Sequence, residues 1–335
     1  MRKIKKEDVV MSITRFGTLS DNREVDKITI SDGRCEVSIL TLGAIIQSFK
    51  YKLSDGSIRE LVSGSDYLES YVDDPTYKGQ IVAPFANRIR NASFSLKDET
   101  FVLEKNNGKN NLHSGNANLG YDVWNVIFQT PNGVVLNNST QNMKGGFPGN
   151  IGVTVKYSLS NDTLSINYTL SSDRDCVINP TNHAYFNLNG ENRDAREQSI
   201  MIDADRYTRT NEELIPLSVD EVNEDYDFRV MRKINERRDG IYDTCFELNS
   251  GRAAILRGDD LEMVVTTDRP CIQLYTGEFF DSRLSRGNGK AFAALALETS
   301  SHVDPMNSGR IEEVILKKGE IFRSITSYSI KEMKK

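Results

Sequence analysis

Between Ile151 and Leu170 the chain alternates apolar and polar residues on both sides of a single short break, and few folds accept that pattern. Ile151, Val153, Val155, Tyr157 and Leu159 precede Asn161-Asp162, and Leu164, Ile166, Tyr168 and Leu170 follow it. Successive strand side chains project to opposite faces, so a period of two means two strands with one buried face each, joined as a hairpin. Ile28 to Ile30 and Val37 to Leu40 repeat the arrangement around Asp32-Gly33, a dipeptide that supplies the positive φ of a tight turn. Leu261, Met263 and Val265 alternate, as do Tyr328 and Ile330, and Asn132-Gly133 marks a further turn. Helical periodicity is confined to Asp66 to Val72 and Ser218 to Val222, read as single turns or short helices. Many strands with turn signals at short intervals predict an all-β fold, a large antiparallel β-sandwich with few short helices. No repeat, low-complexity tract or linker divides the 335 residues. Residues 1–26 are read as a charged N-terminal segment with no assigned order, and 27–335 as a single β-sandwich domain.

Charge narrows the partners. Asp plus Glu number 48 against 42 Lys plus Arg, a net charge of −6, whereas a nucleic-acid binder carries a basic stripe that displaces phosphate counterions. No stretch approaches the ~20 apolar residues of a membrane helix. The basic start Met1-Arg2-Lys3-Ile4-Lys5-Lys6 lacks the apolar run of a signal peptide. Cys35, Cys176, Cys245 and Cys271 lie far apart without a Cys-x-x-Cys pair, the usage of isolated buried thiols in a reducing compartment. The expectation is a cytoplasmic protein, monomer or homodimer, acting on a small neutral molecule, with neither nucleic acid nor membrane as partner.

Chemistry belongs where polar residues interrupt the strand rhythm. Five segments do so: Ala86 to Arg90, Asn110 to Gly115 upstream of the single Trp124, Asn179 to Leu188, Tyr242-Asp243, and Leu295 to Thr299. Of the three histidines, His113 and His183 fall inside such Asn-rich segments, and His302 does not. No His-x-His or His-Glu-x-x-His spacing suggests zinc, and no Gly-x-Ser-x-Gly elbow suggests a nucleophilic serine. Glu298 follows the run Ala293 to Leu297, which reads as a buried strand. A carboxylate there is either partly desolvated, with a raised pKa suited to a general base, or turned to solvent as the strand exits. The pattern leaves both open.

Taken together, these segments resemble the aldose 1-epimerase (galactose mutarotase) family. The resemblance rests on Asn87-Arg88-Ile89, Asn110-Asn111-Leu112-His113-Ser114-Gly115, Gly146-Phe147-Pro148-Gly149, Thr181 to Leu188, Tyr275-Thr276-Gly277 preceded by Gln273, and Leu297-Glu298-Thr299. It implies a β-sandwich with an open sugar cleft, His183 as general acid and Glu298 as general base. Asn87, Arg88, His113, Asp243 and Gln273 would hold the ring oxygen and hydroxyls, and no metal or organic cofactor is implied. The chain departs from the family pattern at Ala83-Pro84, Ser114, Ser300 and Thr244-Cys245-Phe246, which touches sugar preference rather than the acid or base.

The expected reaction is interconversion of the α and β anomers of an aldohexose of the galactose or glucose type. Three alternatives stand beside it. A hexose-6-phosphate 1-epimerase would need cations such as Arg90, Arg206 or Arg209 at the cleft rim. A non-catalytic carbohydrate-binding protein would need no matched acid and base. A glycoside hydrolase would use Asp243 and Glu298 as its carboxylate pair.

Overall fold

A computed structural model describes residues 12–72, 74–280, 286 and 289–334. The expected hairpin pairs Ile151–Ser160 with Thr163–Ser172, and Asn161 and Asp162 between them both hold positive φ, 51° and 60°, the conformation of a two-residue turn matched to strand twist. Their apolar side chains face inward along the whole length. The Asp32-Gly33 hairpin joins Glu24–Ser31 to Cys35–Leu40. The strand Ser12–Thr18 pairs with Glu24–Ser31, so residues 12–18 and 24–26 of the charged terminal segment lie in strands; residues 1–11 lie outside the described residues.

Three sheets dominate. Five strands between Ser12 and Glu60 form the first. The second has nine strands and contains the Ile151–Ser172 hairpin, flanked by Gly133–Thr140 and by Ile321–Glu332. The third has six, in the order Tyr185–Phe186, Leu295–Ser300, Cys271–Tyr275, Asp243–Glu247, Arg206–Thr210 and Pro216–Glu221. One apolar core draws on all three, with Val37 and Phe49 from the first, Val155 and Ile166 from the second, and Ile272, Leu274, Leu295 and Leu297 from the third. Each fully buried Leu or Ile contributes about 1.5–3 kcal/mol relative to exposure. The four cysteines are buried free thiols.

Helical segments among the described residues are three-residue 3-10 turns. The Asp66 to Val72 stretch holds one, Leu68–Ser70. Ser218 to Val222 does not: Ser218 to Glu221 belong to the edge strand Pro216–Glu221, with Val219 opposite Thr208. Its alternating polar residues satisfy a strand with one exposed face, and the neighbouring strand decides the outcome. No described helix is long and apolar enough to cross a membrane.

Candidate active site

The six-stranded sheet places the site through its alternation. Leu295 and Leu297 turn into the core, which sends Ala296 and Glu298 to the opposite face. Register then aligns Glu298 with Gln273 and Gln273 with Cys245 across three strands. Asp243 lies two residues before Cys245 and projects to the same face. Glu298 therefore sits mid-strand rather than at a strand exit, and only 5% of it is exposed.

The opposing wall comes from loops locked by asparagines. His183 follows the two-residue strand Thr181–Asn182. Asn182 donates to the carbonyls of Gly79 and Gln80 and accepts from the N–H of Ala184, which fixes the backbone on both sides of the histidine. His183 is 4% exposed, and its Nε2 lies 3.5 Å from Glu298 Oε1. Asn87 and His113 both adopt positive φ, 67° and 49°, a conformation that asparagine and histidine accept more readily than most residues. They exchange two hydrogen bonds: His113 N–H to the Asn87 carbonyl at 3.1 Å, and Asn87 N–H to His113 Nδ1 at 3.2 Å. Ser114 fastens the same junction, its hydroxyl accepting from the N–H of Phe85 and donating to its carbonyl.

That second bond sets a tautomer. An imidazole nitrogen that accepts an N–H carries no proton, so the proton of neutral His113 resides on Nε2 and makes it a donor. Burial holds the His113 pKa well below the usual histidine range, helped by the nearby His183 and Arg88. His113, His183 and Glu298 offer potential ligand atoms within 4.8 Å of one another. A protonated Nε2 on His113 nevertheless suits hydrogen-bond donation better than metal ligation.

A cavity of about 260 Å³ opens between the two walls. That is slightly below the ~300–1,000 Å³ of pockets for drug-sized ligands, and leaves room for one ring-sized molecule. Asn87, Arg88, His113, His183, Asp243 and Glu298 line it. Gln273 does not: its amide lies beneath, accepting from Asn87 Nδ2 at 3.2 Å and donating to Asp243 Oδ1. Arg88 Nε donates to Asn107 Oδ1 at 3.2 Å, and its NH1 stands 3.8 Å from Asp243 Oδ2. Tyr77, Tyr185 and Tyr275 also line the cavity, with the Tyr77 ring 4.5 Å from that of His113 and the Tyr185 ring 5.0 Å from that of His183. Tyr185 and Tyr275 lie within motifs named from the sequence but were given no role there, and Tyr77 and Asn107 were not singled out. Asn107-Gly108 is a turn signal, but nothing in it tells which side chain a turn aims into a cleft. His302 lies elsewhere, bonded to Glu313 at 2.8 Å.

Burial sets the electrostatics. It pushes the Glu298 carboxyl well above the ordinary carboxylate range, and the negative charge of Asp243 adds to the shift while Arg88 opposes it. Burial also lowers His183 to about 4. Both directions favour a pair that holds one proton and no net charge. A wall with one proton to move, flanked by neutral donors and by an Arg–Asp pair, can relay a proton between two oxygens of a bound polyhydroxyl ring.

The aldose 1-epimerase family profile matches residues 26–329. The aldose 1-epimerase of Escherichia coli is 33% identical over 316 residues, spanning 87% of this chain and 91% of that protein. The galactose mutarotase of Bos taurus is 29% identical over 336 residues, covering 95% and 98% of the two chains. Among solved structures, the galactose 1-epimerase of Lactobacillus acidophilus superposes with a TM-score of 0.86 at 24% identity, over 97% of this chain and all of that one.

Proposed function

The chain belongs to the aldose 1-epimerase family and is an isomerase of the mutarotase class; from that premise we propose that it interconverts the α and β anomers of a galactose- or glucose-type aldohexose through His183 and Glu298. The observation that carries this reading is the 3.5 Å approach of His183 Nε2 to Glu298 Oε1 in the wall of a ring-sized cavity.

The pair holds one proton in all. Its transfer from Glu298 to His183 gives the carboxylate and imidazolium that the opening step uses. Glu298 then takes the proton of the O1 hydroxyl while His183 delivers one to the ring oxygen, and the C1–O5 bond breaks to leave an aldehyde. Rotation about C1–C2 presents the other carbonyl face. Closure returns a proton to O1 from Glu298 and takes one from the O5 hydroxyl onto His183, and back-transfer of that proton from His183 to Glu298 restores the resting pair. Each positioned acid or base contributes about 10²–10⁴-fold. The His113 Nε2–H serves as a neutral donor to charge developing on the ring oxygen. Asp243, steered by Gln273 and Arg88, accepts from ring hydroxyls and pins the sugar as C1 turns; that commitment argues against its use as a hydrolytic carboxylate.

A phosphorylated substrate finds little support in the cleft. Arg88 is the one Arg or Lys among its lining residues that are described. Arg90 and Arg206 line a different cavity, and Arg209 pairs with Asp220 at 2.7 Å. Polarimetry of freshly dissolved α-galactose and α-glucose tests the proposal. It predicts acceleration over buffer for at least one of them, and no acceleration for either removes it.

A further inference from the structure

A second cavity, of about 470 Å³, shares no lining residue with the sugar cleft. Arg206 and Thr208 reach it from the strand beside Asp243–Glu247, and register sets Arg206 opposite Glu247, two residues from Cys245. The cavity therefore lies on the cleft side of the six-stranded sheet. Its wall carries Arg90, Arg206, Arg310 and His302, and no Asp or Glu among the described residues. Glu247, Glu313 and Asp304 stand behind these cations rather than in the wall.

The cations are loosely held. Arg206 NH1 lies 3.6 Å from Glu247 Oε2, and Arg90 Nε lies 3.5 Å from Asp304 Oδ2, both beyond the 2.7–3.2 Å of an N–H···O hydrogen bond. The Arg90 side chain donates one hydrogen bond, to the Pro216 carbonyl, and Arg310 one, to Glu313 at 3.3 Å. A guanidinium has five N–H donors, so most of those on three arginines are uncommitted. His302 is 5% exposed. Its Nδ1 donates to Glu313, a bond that favours the imidazolium against the cost of burial, and in that form Nε2 is a donor as well; it is buried without a hydrogen-bond partner, as is Arg90 Nε. Each faces a carboxylate oxygen that is equally unpartnered, Glu247 Oε2 at 3.6 Å from His302 Nε2 and Asp304 Oδ2 at 3.5 Å from Arg90 Nε, so both donors stop short of hydrogen-bond distance. Several planar guanidinium forks around one space match the tetrahedral oxygens of a phosphoryl group better than a single carboxylate.

We propose that this cavity is a phosphoryl-anion site, separate from the sugar cleft, that holds inorganic phosphate or a phosphate monoester through Arg206, Arg310, Arg90 and His302. The test is calorimetric titration of the full chain with inorganic phosphate at low ionic strength. Saturable binding is expected, weakened at least about tenfold in the R206Q/R310Q double variant. It should be unchanged in R209Q, in E298Q, and in the presence of saturating galactose. Glucose 6-phosphate should compete with phosphate if a monoester fits, and failure to compete limits the site to the free anion. Absence of saturable binding by the native chain overturns the proposal. So does binding abolished by galactose or by E298Q, which would place the anion in the sugar cleft, and so does full binding by R206Q/R310Q with a native circular dichroism spectrum. Should the double variant fail to fold, H302Q and R310Q singly carry the same test.

Discussion

The backbone N–H of Asn87 donates to Nδ1 of His113 at 3.2 Å and so commits the other ring nitrogen of this cleft-lining residue to be a donor. The donor is neutral, because burial keeps the ring from ionising near neutral pH. His113→Ala should lower kcat by about 10²–10³-fold, the usual loss for a donor to a developing oxyanion. The alkaline limb of the pH–rate profile should stay in place, since burial holds the His113 pKa far below it. A variant that shifts that limb would give His113 a proton-transfer role instead.

Activity requires one proton on the His183–Glu298 pair, which fixes the shape of the pH profile. His183 titrates at about 4, so kcat/KM should hold through pH 6 and fall only as the pH approaches 4. The raised Glu298 pKa puts the second loss on the alkaline side. Polarimetric rates corrected for buffer catalysis would show this, and an acid limb centred near 6.5 would contradict it.

The same shift has a stability consequence. The folded pKa of Glu298 lies above its unfolded value, so the native state binds more protons than the unfolded state between the two. Stability is then fully present below the unfolded pKa and is lost as pH rises through the folded one. Glu298→Gln carries no such loss. Its melting temperature should exceed that of the native chain at pH 8, with the gap closing as the pH is lowered toward 4; calorimetry at several pH values would show the trend.

Gln273 bridges Asn87 and Asp243 from beneath the cleft. Gln273→Leu leaves both partners short of a hydrogen bond, at a cost of about 1–3 kcal/mol. The kinetic expectation is a rise in KM larger than the fall in kcat, because sugar positioning is lost while the acid–base pair stays. Equal effects on both constants would mean that Gln273 acts on the reacting atoms.

The Ile151–Leu170 hairpin was legible in the sequence because each strand has one buried face and its turn residues suit positive φ. Ser218 to Glu221 was not, since an edge strand with a half-exposed polar face takes its identity from its pairing with Arg206–Thr210. Within the site, Glu298 stood out as a carboxylate beside an apolar run, and His183 through its asparagine-rich setting. The motif that flagged Gln273 could not tell a sugar contact from a support beneath the wall, because only the cross-strand row with Glu298 and Cys245 sets its depth. Tyr77 and Asn107 come from loops whose aim depends on packing, and local sequence carries no trace of it.

Initial mutarotation rates of Glu298→Gln and His183→Gln, followed by polarimetry beside the native chain and with folding checked by circular dichroism, bear on the central claim most directly. Each variant should lose about 10²-fold or more of the acceleration, and the double variant should be little worse than either single one, because the two groups work as one proton relay. Near-native rates from a folded Glu298→Gln protein would contradict the assignment of the base and, with it, the proton path across the ring.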